Sequence, residues 1–170
     1  IIIKVVLAFS GLLDTSFCVP YLMKKGYEVY AATVDTGGFT QKDILKIKNR
    51  AKELYVQNHF FIDGKTTLYN KIVIYIIKGN ILRGGVYPLC AGPERIVQAI
   101  EVIGVAKKIG ANAVAHGSTG AGNDQVRFDV AIQTLAPKVE IITPIRDLGI
   151  TREEEIVFLI KHGVSVEETS

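Results

Sequence analysis

The sequence predicts an α/β fold, a doubly wound parallel sheet of five strands with helices on both faces. Three observations predict it. Apolar, β-branched runs alternate with helix-like segments along the chain, the order that βαβ units produce. The opening run IIIKVVLAF is apolar at odd and even positions alike, as a strand covered on both faces must be. The segments after strands one, two and four are rich in glycine and hydroxyl side chains, and open α/β sheets bind ligands at the carboxyl ends of strands.

Each element has its own justification. Residues 1–9 form the first strand; they make only about half a membrane span and lack a basic leader, so a buried strand fits better than a signal peptide. Residues 15–25 read as a helix stopped by Gly26, and YEVYAATVD (27–35) as a second strand. After the loop TGGFT, residues 41–54 place Ile44, Leu45, Ile47, Ala51 and Leu54 near one helical face. HFFID (59–63) is a short third strand. Residues 66–82 read as helix from Ile72, Ile76 and Ile77, although KIVIYII also has strand propensity. RGGVYPLCAGP is a loop, and Pro93 opens a helix with Ile96, Ile100, Ile103 and Ala106 on one stripe, ended by Gly110. NAVAHG is the fourth strand, STGAG a loop, 123–135 a helix and EIITP the fifth strand. Thr151 and Glu154 make a capping box for a last helix that Gly163 closes.

The 170 residues fit one domain with a sizeable core, and 48% hydrophobic with 22% charged residues excludes a disordered chain. A net charge of +3 gives no ground for a nucleic-acid partner. No run is long enough for a membrane span. Cys18 and Cys90 sit in apolar surroundings without CxxC spacing, which fits a reduced, cytoplasmic chain. No Cys/His cluster has metal spacing.

Two loops carry the chemistry. In Ala8-Phe9-Ser10-Gly11-Leu12-Leu13-Asp14-Thr15-Ser16, backbone N–H groups, three hydroxyls and the positive end of the next helix favour an anion. The loop has no lysine for GxxxxGK[ST] and is not GxGxxG. A tight turn capped by Asp or Thr is the structural alternative. In HGSTGAGNDQVRF (116–128), Gly117, Gly120 and Gly122 permit close backbone approach, while Thr119 and Asn123 offer neutral hydrogen bonds. Asp124 and Arg127 can clasp a zwitterion, carboxylate to ammonium and guanidinium to carboxylate. A surface loop with an ordinary capped helix is the alternative there. His116 has no assigned role, since a histidine ending a strand is more often structural.

With both loops in view, the chain resembles argininosuccinate synthase. KVVLAFSGLLDTS is similar to that family's KVVLAYSGGLDTS, and AHGSTGAGNDQVRF to its HGxTGxGNDQVRF. The closing LAPKVEIITPIRDLGITREEEIVFLIKHG also resembles it, through TPxR and the REEEI helix. The first motif belongs to the wider class of ATP pyrophosphatases with an SGGxDS loop, which includes synthetases of GMP, NAD and asparagine and tRNA-thiolating enzymes. The resemblance implies an adenine nucleotide alpha hydrolase-like, Rossmann-like fold. It implies ATP-dependent joining of citrulline to aspartate through a citrullyl-adenylate, with release of pyrophosphate and AMP. Residues 8–16 would surround the ATP phosphates, with Val34 near adenine and Gly117 near the nucleotide. Thr119, Asn123 and Asp124 would hold aspartate, and Tyr87, Asn123 and Arg127 would face citrulline. Mg²⁺ would ride with the phosphates, with no protein metal site. The nucleotide-binding domain would cover 1–165, and 166–170 would begin a further synthetase domain or a tail. The family is homotetrameric through a C-terminal arm that these 170 residues lack.

Two residues depart from the family pattern. Leu12 replaces the second glycine of the pyrophosphate loop. If position 12 is left-handed, leucine costs about 1–2 kcal/mol there; if only close approach is needed, its Cβ occupies space meant for phosphate. Gly92 stands where the family usually has a hydroxyl toward citrulline. Two other readings therefore stand beside the first. One is a nucleotide-fold protein without catalysis. The other is another adenylating enzyme such as a tRNA thiolase, which would want a reactive cysteine and a basic face.

Overall fold

The computed structural model describes residues 3–89 and 91–166; the expectations for Cys90 and for 167–170 lie outside the described residues. The chain runs β1 (Ile3–Ala8), α1 (Leu13–Lys24), β2 (Tyr27–Asp35), α2 (Gln41–Glu53) and β3 (Asn58–Asp63). It continues through α3 (Lys65–Leu68), a π-helical turn (Tyr69–Val73), α4 (Ile74–Lys78), β4 (Leu82–Arg83), β5 (Tyr87–Pro88) and α5 (Ala91–Ile109). It closes with β6 (Ala113–His116), α6 (Asp124–Leu135), β7 (Glu140–Ile142), α7 (Pro144–Leu148) and α8 (Arg152–Lys161).

The main sheet has five strands in the order β3-β2-β1-β6-β7, and every pairing in it is parallel. This is the doubly wound sheet that the alternating pattern predicts. The chain winds outward from β1 to β3 on one side and returns to β6 on the other. The topological switch point therefore lies between β1 and β6, where a crevice opens at the strands' carboxyl ends.

The two-residue period of β1 divides the core. Val5 and Leu7 join Phe17, Leu22, Ile47 and Leu159 beneath α1, α2 and α8. Val6 joins Val102, Ile103, Phe128 and Ile132 beneath α5 and α6. Val5, Val6 and Leu7 have no exposed surface, which is why the opening run lacks a polar face.

Some boundaries differ from expectation. Helix α1 begins at Leu13, two residues early, with Leu12 as its N-cap and no side-chain cap bond. Neither Asp14 nor Thr15 caps it. The helix expected at 66–82 is interrupted by the π turn and ends at Lys78, and Leu82 pairs instead in a short antiparallel ladder with Pro88. Helix α5 begins at Ala91 and includes Pro93 in its first turn, where a missing N–H costs no helical bond. The fifth strand stops at Ile142, because Pro144 starts α7 with its fixed φ. The Thr151–Glu154 capping box is present. Thr40 and Asp43 make another at α2, and its first-turn acid was the signal in the sequence.

Candidate functional site

A cavity of about 480 Å³ opens at the carboxyl ends of β1, β2 and β6. Ala8, Phe9, Ser10, Leu12, Asp14 and Thr15 line one wall; Ala32, Thr33, Val34 and Phe39 line the next. His116, Gly117, Ser118, Thr119 and Ala121 close it from β6, with Asp124 and Phe128 of α6 and Arg95, Gln98 and Val102 of α5.

Hydroxyls hold the first loop together. Ser10 Oγ and Thr15 Oγ1 are 3.0 Å apart, and Thr15 Oγ1 also accepts the Ser10 N–H at 3.3 Å. Ser10 Oγ accepts the Leu12 N–H at 3.3 Å, and Ser16 Oγ lies 3.4 Å from the Gly11 carbonyl. The first N–H groups of α1 have no carbonyl one turn back and face the loop. The left-handed residue is Gly11, with φ +74°. Leu12 is extended, at φ −81° and ψ 176°, so its backbone is unstrained. Its side chain is 71% exposed and lines the cavity. Of the two possibilities for position 12, the left-handed backbone does not apply.

Gly117 makes a close approach. A Cβ built on it would lie 3.2 Å from Thr15 Cγ2 and 3.3 Å from the Asp14 backbone carbon. Glycine thus lets the β6 loop meet the N-terminus of α1. Gly11, Leu13 and Ser16 do not line the cavity. Gly11 sits against Ile47 of α2, and Leu13 packs on the core beneath α1.

The N-terminus of α6 divides two spaces. Asp124 accepts from Arg127 at 2.7 Å and from Arg95 at 3.0 Å. Burial pushes the Asp124 carboxyl up, but the two guanidinium groups outweigh it and hold the pKa below the ordinary value. Arg127 faces a second cavity, of about 320 Å³, with Tyr87, Arg83, Leu89, Gly92, Pro93 and Ile96. Thr119 and Asp124 therefore share the first cavity, while Tyr87 and Arg127 share the second. Asn123 lines neither; it is the N-cap of α6, without a side-chain cap bond.

Sequence reasoning missed Arg95, Gln98 and the partners of His116. Arg95 and Gln98 are three apart on α5 and bonded at 2.9 Å; that spacing was the available signal. His116 Nε2 lies 2.9 Å from Asp129, and Nδ1 accepts the Ser118 N–H at 3.3 Å. Arg146 donates to Asp129 at 2.6 Å. Burial lowers the His116 pKa despite its carboxylate partner. The ring is thus neutral, with its proton on Nε2 and its Nδ1 lone pair holding the start of the glycine loop. Nothing in the sequence links 116, 129 and 146 before the fold is known.

The family whose sequence profile matches residues 4–165 is the arginosuccinate synthase N-terminal HUP domain. The chain belongs to the argininosuccinate synthase family. The argininosuccinate synthase of Pyrobaculum aerophilum is 46% identical over 97% of this chain and 41% of its own length. That of Oenococcus oeni is 44% identical over 96% of this chain and 40% of its own. The chain therefore spans about two-fifths of the length of the curated family members it matches. A crystal structure described as a predicted subunit of tRNA methyltransferase from Methanocaldococcus jannaschii aligns with TM-score 0.59 at 18% identity, over 96% of this chain and 90% of that one. At that identity the likeness concerns the fold alone. Among the described residues, no helix is long and apolar enough to cross a membrane.

Proposed function

We propose that this chain is the ATP-binding part of an argininosuccinate synthase. The observation that carries the reading is the convergence of Ser10, Leu12, Asp14 and Thr15 of the first loop with Val34 and Gly117 on one cavity at the switch point. The ATP phosphates would lie over the N-terminus of α1, held by loop N–H groups and the Ser10 and Thr15 hydroxyls. Adenine would lie toward Val34. In the whole protein, the citrulline ureido oxygen would attack the α-phosphorus and expel pyrophosphate. The aspartate amine then displaces AMP from the citrullyl-adenylate. Such chemistry asks for positioning and charge stabilisation rather than a protein nucleophile.

Thr119 and Asp124 would hold aspartate, and Tyr87 and Arg127 would face citrulline. Their separation into adjoining cavities supports that division, with α6 between them. Asn123 would contribute its amide at the junction only after turning toward either space. Among the described residues, no three His, Cys, Asp or Glu side chains gather for a metal. Mg²⁺ would ride with the ATP phosphates, held by their oxygens and water. A cytoplasmic location fits the buried free thiol of Cys18. The homotetramer belongs to the longer family protein.

Isothermal titration with ATP tests the reading, followed by a pyrophosphate-release assay with citrulline present and absent. Saturable ATP binding is expected, with slow citrulline-dependent release by the 170-residue chain. Absence of ATP binding would overturn the assignment. A second reading, a nucleotide-binding protein without catalysis, is favoured by the exposed Leu12 side chain in the cavity wall. ATP binding without any citrulline-dependent release would support it.

A further inference from the structure

The TPIR segment (143–146) lies outside both loops that carry the chemistry and lines neither of their cavities. It builds a support instead. Pro144 opens α7, and the Thr143 hydroxyl donates to Asp147 Oδ1 at 2.6 Å, which closes the short helix on itself. Arg146 reaches from that helix to α6. Its Nη1 donates to Asp129 Oδ2 at 2.6 Å and to Gln125 Oε1 at 3.1 Å. These two acceptors are four residues apart in α6 and so share a face. Each carries a bond onward to the loop between β6 and α6. Asp129 Oδ1 accepts from His116 Nε2 at 2.9 Å, and the other nitrogen of that ring takes the Ser118 N–H at 3.3 Å. Gln125 Nε2 donates to the Gly120 carbonyl at 2.6 Å. The loop is thus tied at Ser118 and at Gly120, and both ties lead to one guanidinium group. The stem of Arg146 also lies against the loop, since a Cβ on Gly120 would be 3.9 Å from its Cγ.

We infer that Arg146 is a positioning residue. Through Asp129 and His116 on one side and Gln125 on the other, it fixes the 117–121 loop as a wall of the nucleotide cavity. The consequence for ATP rests on the nucleotide reading; the tethers stand without it. A loop holding Gly117, Gly120 and Gly122 samples many conformations when free. A ligand that needs one of them binds more weakly in proportion to the time spent in the others. Holding Ser118 and Gly120 beforehand removes that cost. Arginine suits the place, because its charged head binds a carboxylate and an amide oxygen together. Joining α7 to α6 would need only the bond from Arg146 to Asp129. The bonds onward to the Ser118 N–H and the Gly120 carbonyl serve the loop alone.

Two variants test this. Arg146→Met keeps the stem beside Gly120 and removes the guanidinium group. Gln125→Glu keeps an acceptor for Arg146 and removes only the donor to Gly120, and it decides the matter should Arg146→Met not fold. ATP affinity is measured by isothermal titration. Hydrogen exchange is followed by NMR at the backbone amides of 118–121 and, as a reference, at Val5, Val6 and Leu7 of β1. In Arg146→Met the loop amides should exchange about ten-fold faster relative to β1, and ATP affinity should fall about three- to ten-fold. Gln125→Glu should move both in the same direction and less far. Arg146→Lys, which keeps the charge and three donors on one nitrogen, should recover part of both losses. A purely structural role would quicken exchange at β1 and leave the loop no faster than it, which would overturn the tethering. A faster loop with unchanged ATP affinity would overturn its bearing on the cavity. If the wild-type chain does not bind ATP, the nucleotide reading fails and the loop amides alone decide the tethers.

Discussion

Gly11→Ala tests the geometry of the phosphate loop. Gly11 has φ +74°, and a Cβ there would lie 3.2 Å from Ile47 Cγ1 and 3.3 Å from Ile47 Cα. The left-handed backbone costs an L-residue about 1–2 kcal/mol. The contact adds the lower end of the overpacking range, about 1 kcal/mol, because the shortfall is a few tenths of an ångström but the neighbour is helix backbone. The sum is about 2–3 kcal/mol. For a chain of this size each kcal/mol moves Tm by about 2–4 °C, so the expected loss is about 4–12 °C. Gly26→Ala is the control: Gly26 has φ +88° with nothing within 4 Å of the added carbon. It should lose only about 2–8 °C from the backbone term. Any gain from a stiffer unfolded chain is common to both. Thermal denaturation of the two variants side by side reads the difference. Equal losses would show that α2 yields freely and that Ile47 does not fix the loop.

Leu12→Gly should raise ATP affinity up to about ten-fold by clearing an exposed side chain from the cavity wall, which titration would show or refute. Its stability should change by less than about 1 kcal/mol, because the unfolded-state entropy cost is offset by glycine being the better N-cap. Gly117→Ala should weaken ATP by about ten-fold and cost about 1–2 kcal/mol, since the new methyl group meets Thr15 and the Asp14 backbone; unchanged binding and melting would mean that the two loops part easily. The His116 pKa is lowered in the folded state, so the unfolded chain takes up the proton first. The neutral ring's contribution is therefore full above the ordinary value of 6.5 and is lost as pH falls. Urea denaturation should show the stability advantage of wild type over His116→Gln shrinking from pH 7.5 to 5.5, and a constant advantage would refute it.

Periodicity made the sheet legible. Val5, Val6 and Leu7 are apolar in succession because both faces of β1 are covered, and no other strand geometry needs that. The start of α1 was less legible, because a helix begun by Leu12 carries no capping side chain to mark it. The end of the fifth strand was hidden because Thr143 reads as β-branched, while Pro144 decides the backbone. Within the cavity, glycines and hydroxyls announced themselves by composition. Arg95 did not, because an arginine on an amphipathic helix is ordinary until α6 brings Asp124 to 3.0 Å. Glu155 lies in a run of three acidic residues; only packing of α8 on α1 separates the buried one from its exposed neighbours.

Asp124 has one further consequence, concerning how substitutions combine. Arg95 reaches it from α5 and lines one cavity; Arg127 reaches it along α6 and lines the other. Removing either arginine leaves the carboxylate one guanidinium, whereas removing both leaves it none. Arg95→Ala and Arg127→Ala should therefore be epistatic, with the double variant departing from the sum of the singles by about 0.5–3 kcal/mol in stability. A substitution in one cavity thus changes which substitutions the other can accept.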